Sequence, residues 1–360
     1  MKLNYKPIGK HIRLVDERNK GLQVQKLLGL SISKQFIPSV ANIIGTDMEN
    51  YKIIRKNQFA CSTMQVRRDK KMPVALLKDL DEAIISQAYP IFEVKDEKEL
   101  LPEYLMMWFE RSEFDREACF NAVGGVRGSL EWEDFENMQL PIPHPDIQRE
   151  IVKEYNTIKN RITLNQQMIQ TLEETAQAIY REWFVEGIDL KNLPEGWRKG
   201  KLSDLLEIKY GKAYSHLEEG NIPLYGSGGL MSKVNKPLYK KPSVLIPRKG
   251  TLSNIMFVNH PFWCVDTMFY SIFENEANGY YAYFILKQLD FNALNQGSAV
   301  PSMTTAFLND INVVLPNQDR LNEFNEVLHK ITSHKENIDK ENQKLTELKE
   351  LLLSKLATVE

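Results

Sequence analysis

The chain has 360 residues, 42% of them hydrophobic, with 46 basic against 48 acidic side chains and a formal net charge of −2. That length and apolar content suit two or three globular domains, while the near-neutral balance argues against a generic polyanion binder, whose domains are usually basic overall. No apolar run approaches the roughly 18 residues of a membrane span, Met1 to Tyr5 lead into polar sequence, and Cys61, Cys119 and Cys264 are too scattered for a disulfide or zinc framework, so a soluble cytoplasmic protein with reduced thiols and no membrane attachment is expected.

A first mixed α/β globule is expected over residues 1–145. Between Tyr51 and Lys78 it concentrates Lys52, Arg55, Lys56, Arg67, Arg68, Lys70, Lys71 and Lys78 against the single acid Asp69. Cations attract phosphates without sequence information, whereas polar side chains that reach base edges discriminate. Ser62, Gln65, Arg67, Arg68, Lys70 and Lys71 combine the two roles and are candidate DNA contacts. Tyr104 to Arg116 reads as helical, and the turn Gly124 to Ser129 adds Arg127 as a candidate. An apolar strand, Met138 to Ile142, then closes on Pro143.

Residues 146–186 read as a long helix, with Asp146 in its first turn where a carboxylate suits the dipole. Ile151, Tyr155, Ile158, Ile162, Asn165, Ile169, Leu172, Ala176, Ile179 and Trp183 step by four and three, the spacing of a coiled-coil seam that only Asn165 interrupts. From Asp146 to Phe184 such a helix is about 58 Å long at roughly 1.5 Å per residue. Residues 187–197, with Pro194 and Gly196, form a linker.

The second globule spans 198–316. Between Gly220 and Val265 it carries Lys233, Lys236, Lys240, Lys241, Arg248 and Lys249 and no acid, and Tyr225, Ser227, Lys233, Arg248, Lys249 and Thr251 are its candidate DNA contacts. The cluster Gly226, Ser227, Gly228, Gly229 reads first as a tight turn, with a phosphate-holding nest as the alternative. Strands are expected at Ser243 to Ile246 and Met268 to Phe273 and a helix at Tyr280 to Leu289. The turn Gly297 to Thr304 contributes Ser302 and Thr304, and a strand Ile311 to Leu315 closes on Pro316. Residues 317–360 repeat the long helix, with a more polar seam of Phe324, Leu328, Ile331, Lys335, Ile338, Asn342, Leu345, Lys349, Leu352 and Leu356.

The two halves share one offset. Pro316 follows Pro143 by 173 residues, and the same step carries Asp146 to Asp319, Glu150 to Glu323, Ile158 to Ile331, Leu172 to Leu345, Gly124 to Gly297 and Ser129 to Ser302. Copies of this size are domains rather than solenoid units. The fold class expected is α+β: tandem duplicated mixed α/β globules separated by two long antiparallel coiled-coil helices with a pseudo-two-fold, so that the globules sit at opposite ends of a rod. Ile151, Ile158, Ile162, Leu172, Ile179 and Trp183 should meet Phe324, Ile331, Ile338, Leu345, Leu352 and Leu356 in the helix pair. Polar residues within such a seam fix register and partner.

Catalytic constellations are missing: the chain has no phosphate loop, HExxH, GxSxG or NPP[FY] motif. The spacing Glu93-Val94-Lys95 recurs at Glu207 and Glu347 and is noise in a charged chain; His329 and His334 do not share a helix face, which leaves no metal site. Two readings remain, a two-module DNA reader and a coiled-coil adaptor without sequence-specific DNA binding.

The whole chain resembles the specificity subunit of type I restriction and modification systems. The resemblance rests on the duplication, on Leu140-Pro141-Ile142-Pro143 with Asp146-Ile147-Gln148 and its second-half counterpart, on Ala178-Ile179-Tyr180-Arg181-Glu182-Trp183-Phe184, and on Leu193-Pro194-Glu195-Gly196-Trp197. It implies two target-recognition domains on double-stranded DNA, joined by antiparallel helices that hold two methyltransferase subunits at a bipartite target. Adenine methylation with S-adenosylmethionine would occur on those partners, an ATP- and magnesium-dependent restriction subunit would join in systems that also cut, and this chain would hold no cofactor and be no enzyme itself. The second seam, broken by Lys335, Asn342 and Lys349, departs from an apolar heptad.

Overall fold

The structure, a computed structural model, describes residues 5–40, 45–124, 128–289 and 303–359. The chain divides into two compact units, Met1–Asn165 with Lys340–Glu360, and Gln166–Asp339. Each unit is a mixed α/β globule packed on an antiparallel pair of helical segments.

In the first unit the strands are β1 (Tyr5–Pro7), β2 (Ile12–Val15), β3 (Leu28–Leu30), β4 (Phe36–Pro38), β5 (Lys52–Arg55), β6 (Phe59–Cys61), β7 (Val74–Leu76), β8 (Glu82–Ile85), β9 (Ile91–Val94) and β10 (Gln139–Pro141). Its helices are α1 (Val66–Asp69), α2 (Pro102–Glu110), α3 (Ser112–Asn121), α4 (Trp132–Asn137) and the start of α5 (Pro145–Phe184). The main sheet has the order β2-β9-β6-β7. All three residues of β6 are buried because both faces are covered: Phe59 and Cys61 enter one core and Ala60 another. Phe59 and Phe92 stack face to face across β6 and β9 with ring centroids 4.9 Å apart, and Phe109, Phe114 and Phe135 close the core above them. The helical stretch expected over Tyr104 to Arg116 is two helices, because Arg111 turns extended (φ −69°, ψ 141°) and lays its guanidinium 4.1 Å over the Trp108 ring.

Gln148 sets how α5 leaves this globule. Fully buried, it donates from Nε2 to the carbonyls of Glu99 and Pro143 at 2.8 Å each and accepts from the Leu101 amide at 2.9 Å. A buried amide with its donors and acceptor engaged specifies one geometry.

The second unit repeats the plan. Its strands are β11 (Arg198–Lys201), β12 (Glu207–Tyr210), β13 (Glu219–Gly226), β14 (Gly229–Val234), β15 (Ser243–Pro247), β16 (Met256–Val258), β17 (Trp263–Cys264), β18 (Met268–Ile272) and β19 (Asn312–Leu315), and its helices are α6 (Asn278–Gln288), α7 (Thr305–Asn309) and the start of α8 (Gln318–Lys355). The sheet order β12-β18-β15-β16 is that of β2-β9-β6-β7, and the antiparallel pair β11-β19 corresponds to β1-β10. A β13-β14-β17 sheet is the second unit's own addition.

The helix seams are as the period requires. Along α5, Tyr155, Asn165 and Ala176 are buried and Ile151, Ile158, Ile162, Ile169, Leu172, Ile179 and Trp183 half-buried; along α8, Phe324, Leu328, Ile338 and Leu356 are buried and Ile331, Lys335, Asn342, Leu345, Lys349 and Leu352 half-buried. Within the first unit Arg161 of α5 forks onto Glu341 of α8 at 2.9 and 3.1 Å, while Leu352, Leu353 and Leu356 join the core that includes Ile151 and Tyr155. Within the second unit the Phe184 ring stands edge-on to Phe324 at 4.9 Å and Lys335 is ion-paired with Glu173. In both units, residues late in one helix meet residues early in the other, so each segment pair is antiparallel.

Candidate nucleic-acid interface

In the first unit, β6 ends at Cys61 and the chain runs through Ser62, Thr63, Met64 and Gln65 into the single turn α1. Val66 is fully buried and pins that turn, leaving Arg67 and Arg68 exposed with Lys70 and Lys71 after them. Gln65 (φ 63°) and Lys70 (φ 51°) flank α1 in the left-handed region. Non-glycine residues there cost about 1–3 kcal/mol each and cluster at functional sites, a signal that composition and spacing do not carry.

The basic segment and the glycine turn come together. Leu130 donates its amide to the Thr63 carbonyl at 2.9 Å, Arg67 donates its amide to the Gly128 carbonyl at 3.3 Å, and Arg67 Nη1 reaches the Gly124 carbonyl at 3.0 Å. Arg127, on the same turn, lies outside the described residues. Arg68 grips Asp69 with Nε to Oδ1 at 2.6 Å and Nη2 to Oδ2 at 3.1 Å, and this bidentate hydrogen bonding holds the Asp69 carboxyl below its ordinary range. Arg68 therefore spends part of its charge on its neighbour; Lys70 and Lys71 form no salt bridge among the described residues.

The second unit builds the same junction from different residues. Met303, which stands 173 positions after Leu130, donates its amide to the Arg248 carbonyl at 3.0 Å, just beyond β15. Arg248 Nη1 donates to the Asp266 carbonyl at 2.7 Å, and its guanidinium lies 4.7 Å over Tyr210 and 5.2 Å over Phe269, so it is a positioned, half-buried cation. Asn254 Nδ2 donates to the Ser227 carbonyl at 2.9 Å, and a Cβ on Gly250 (φ +82°) would stand 2.6 Å from Ser227 Oγ. Ser227, Arg248, Lys249 and Thr251 are thus gathered at one end of β15. The glycine cluster is the two-residue turn of the β13-β14 hairpin, with Gly226 paired to Gly229 (φ +112°), and Lys233 is exposed on β14.

Two candidates are engaged elsewhere. The Tyr225 hydroxyl meets His260 Nε2 at 3.0 Å, the His260 ring lies 3.4 Å from Asn259 Oδ1, and Asn259 Nδ2 donates to Glu336 of α8 at 2.6 Å. Burial lowers the His260 pKa, opposed by the Glu336 carboxylate. This chain from strand to helix was missed because nothing in the spacing of its members marks it. Thr304 caps α7, its hydroxyl accepting from the Phe307 amide at 3.2 Å; Ser302 lies outside the described residues.

Among the described residues no group of three or more His, Cys, Asp or Glu side chains could hold a metal ion, no helix is long and apolar enough to cross a membrane, and the three cysteines are free, with Cys61 and Cys264 buried.

The sequence matches the type I restriction modification DNA specificity domain twice, over residues 39–174 and 194–350. It is similar to the MjaIX specificity subunit of Methanocaldococcus jannaschii, 20% identical over 298 residues that cover 71% of this chain and 68% of the relative. It is also similar to the HindI specificity subunit of Haemophilus influenzae, 25% identical over 150 residues, 41% of this chain and 32% of that one. In fold it resembles the crystal structure of the type I restriction-modification S subunit from M. genitalium, with a TM-score of 0.68 at 17% identity over 99% of this chain and 96% of the other. The two domain matches take in most of the length, each running from a globule into its long helix, and the chain belongs to the type I restriction modification DNA specificity family.

Proposed function

We propose that this chain reads a bipartite DNA target, one word with each globule, and that α5 and α8 set the gap between the words while holding two methyltransferase subunits. The observation that carries this reading is the repeated junction, in which Leu130 bonds to Thr63 and Met303 to Arg248, each beside exposed cations and short polar side chains. One fold plan presenting different side chains suits two different words. Phosphate contacts from Lys70, Lys71, Lys233 and Lys249 would supply affinity, and Ser62, Gln65, Ser227 and Thr251 would add base discrimination; Arg127, Ser302 and Thr304 remain candidates on the adjoining turns.

The chemistry would belong to the partners. S-adenosylmethionine would bind the methyltransferase subunits, which methylate adenine in each word, and ATP with magnesium would bind restriction subunits where the system cuts. This chain binds, orients and spaces. The test is the adenine methylome of host cells carrying the cognate methyltransferase gene, with and without this chain. A two-part spaced motif that disappears on deletion supports the reading; an unchanged methylome with the methyltransferase expressed favours a coiled-coil adaptor.

A further inference from the structure

Phe120, the penultimate residue of α3, is 84% exposed, more than any other large aromatic side chain among the described residues. A single exposed apolar residue is ordinary, but this one has company. Val123 is 58% exposed and Met64 48%. Both adjoin the bonded junction: Val123 precedes Gly124, which accepts from Arg67, and Met64 follows Thr63, which accepts from Leu130. α1 packs against α3, and the Met72 amide after α1 donates to Asp115 of α3 at 3.1 Å. Exposed apolar residues thus border the junction that carries Arg67, with Arg68, Lys70 and Lys71 next along the chain and Asp69 tied to Arg68, while α3 adds Glu113, Arg116 and Glu117.

Folding gains little from a ring left in water, since apolar stabilisation scales with area removed from it. A protein-docking patch would be poor in charge at its centre, whereas this one is bordered along the chain by Arg67, Arg68, Lys70 and Lys71. Apolar side chains framed by Arg and Lys suit duplex DNA: the cations meet phosphates on either side and the apolar group enters a base step and unstacks it.

We propose that Phe120 is the wedge of the first specificity domain, inserting its ring at a base step of the first word while Met64 and Val123 line its base and the α1 cations hold the flanking phosphates. This rests on the bipartite-reader assignment, which the methylome tests independently. Stacking would make Phe120 a contributor to affinity whose effect is independent of salt.

The experiment uses the full chain assembled with its methyltransferase and a duplex carrying the motif read from the methylome. With 2-aminopurine placed in turn at each step of the first word, wild type should brighten one position on binding, and Phe120→Ala should not. Phe120→Ala should weaken binding about tenfold or more with an unchanged slope of log affinity against log salt and an unchanged melting temperature. Phe120→Trp should bind as wild type does, its indole emission quenched by the duplex. Wild-type affinity and brightening in Phe120→Ala would overturn the proposal, as would loss of methyltransferase co-purification, which would make the patch a protein contact. A methylome lacking any two-part motif would instead sink the underlying assignment.

Discussion

Asn165 of α5 donates from Nδ2 to Asn342 Oδ1 of α8 at 2.9 Å, and the same amide reaches Glu341 Oε2 at 3.1 Å. Asn165 is 2% exposed within an otherwise apolar stretch of seam. The offset of 173 residues carries Asn165 to Ile338 and returns Asn342 to Ile169, so the equivalent layer of the second unit is apolar, with Ile338 buried and Ile169 half-buried. The two repeats thus carry non-interchangeable layers, and a one-heptad slip would set Asn165 against a lysine (Lys335 or Lys349) and Asn342 against Ile158 or Leu172.

Asn165→Leu should destabilise the first unit by about 1–3 kcal/mol, because it strands the Asn342 side-chain oxygen, while Glu341 keeps its Arg161 partner. Asn165→Leu with Asn342→Leu should recover that stability or exceed it while relaxing register. Thermal unfolding of the three proteins, with disulfide crosslinking across the seam as the register probe, checks both.

Lys70→Ala should lower affinity for matched and mismatched duplexes alike and reduce the salt slope by about one. Gln65→Gly should leave stability unchanged or raise it, since glycine occupies the left-handed region without strain, while degrading discrimination within the first word only. Filter binding over a salt series against a library of half-site variants separates the two effects.

His260 links Tyr225 to the Asn259–Glu336 bond, and burial lowers its folded-state pKa below the ordinary value of 6.5. The unfolded chain then binds more protons in the window just below 6.5, so the stabilisation is complete above that pH and is lost as pH falls toward the folded pKa. Denaturant midpoints of wild type should fall through this window, and those of His260→Gln should fall less.

Much of this was legible in the sequence, for identifiable reasons. The seam was, because a period of four and three leaves little choice of face: Ile151 through Trp183 and Phe324 through Leu356 are all at least half-buried. The partners of its polar members were not, since the pairing of Lys335 with Glu173 depends on helix alignment rather than spacing. The repeat was legible where the offset holds, from Gly124 onward, and lost before it: Leu130 and Met303 obey the offset, but the residues they bond, Thr63 and Arg248, are 185 apart. The β3-β4 hairpin in one unit and the β13-β14 hairpin in the other shift the numbering, so the equivalence of β6 and β15 emerges only from sheet order. The basic segments are visible as charge, whereas the left-handed backbone at Gln65 and the cap at Thr304 depend on backbone conformation that residue spacing does not encode.

The central claim is that two readers are spaced by one helix pair, and the most direct measurement inserts seven residues into α5 after Asn165 and seven into α8 before Glu341, then reads the adenine methylome of cells carrying the altered chain with its methyltransferase. The account predicts the same two words separated by a longer spacer. The original spacer, with both words still methylated, would contradict it.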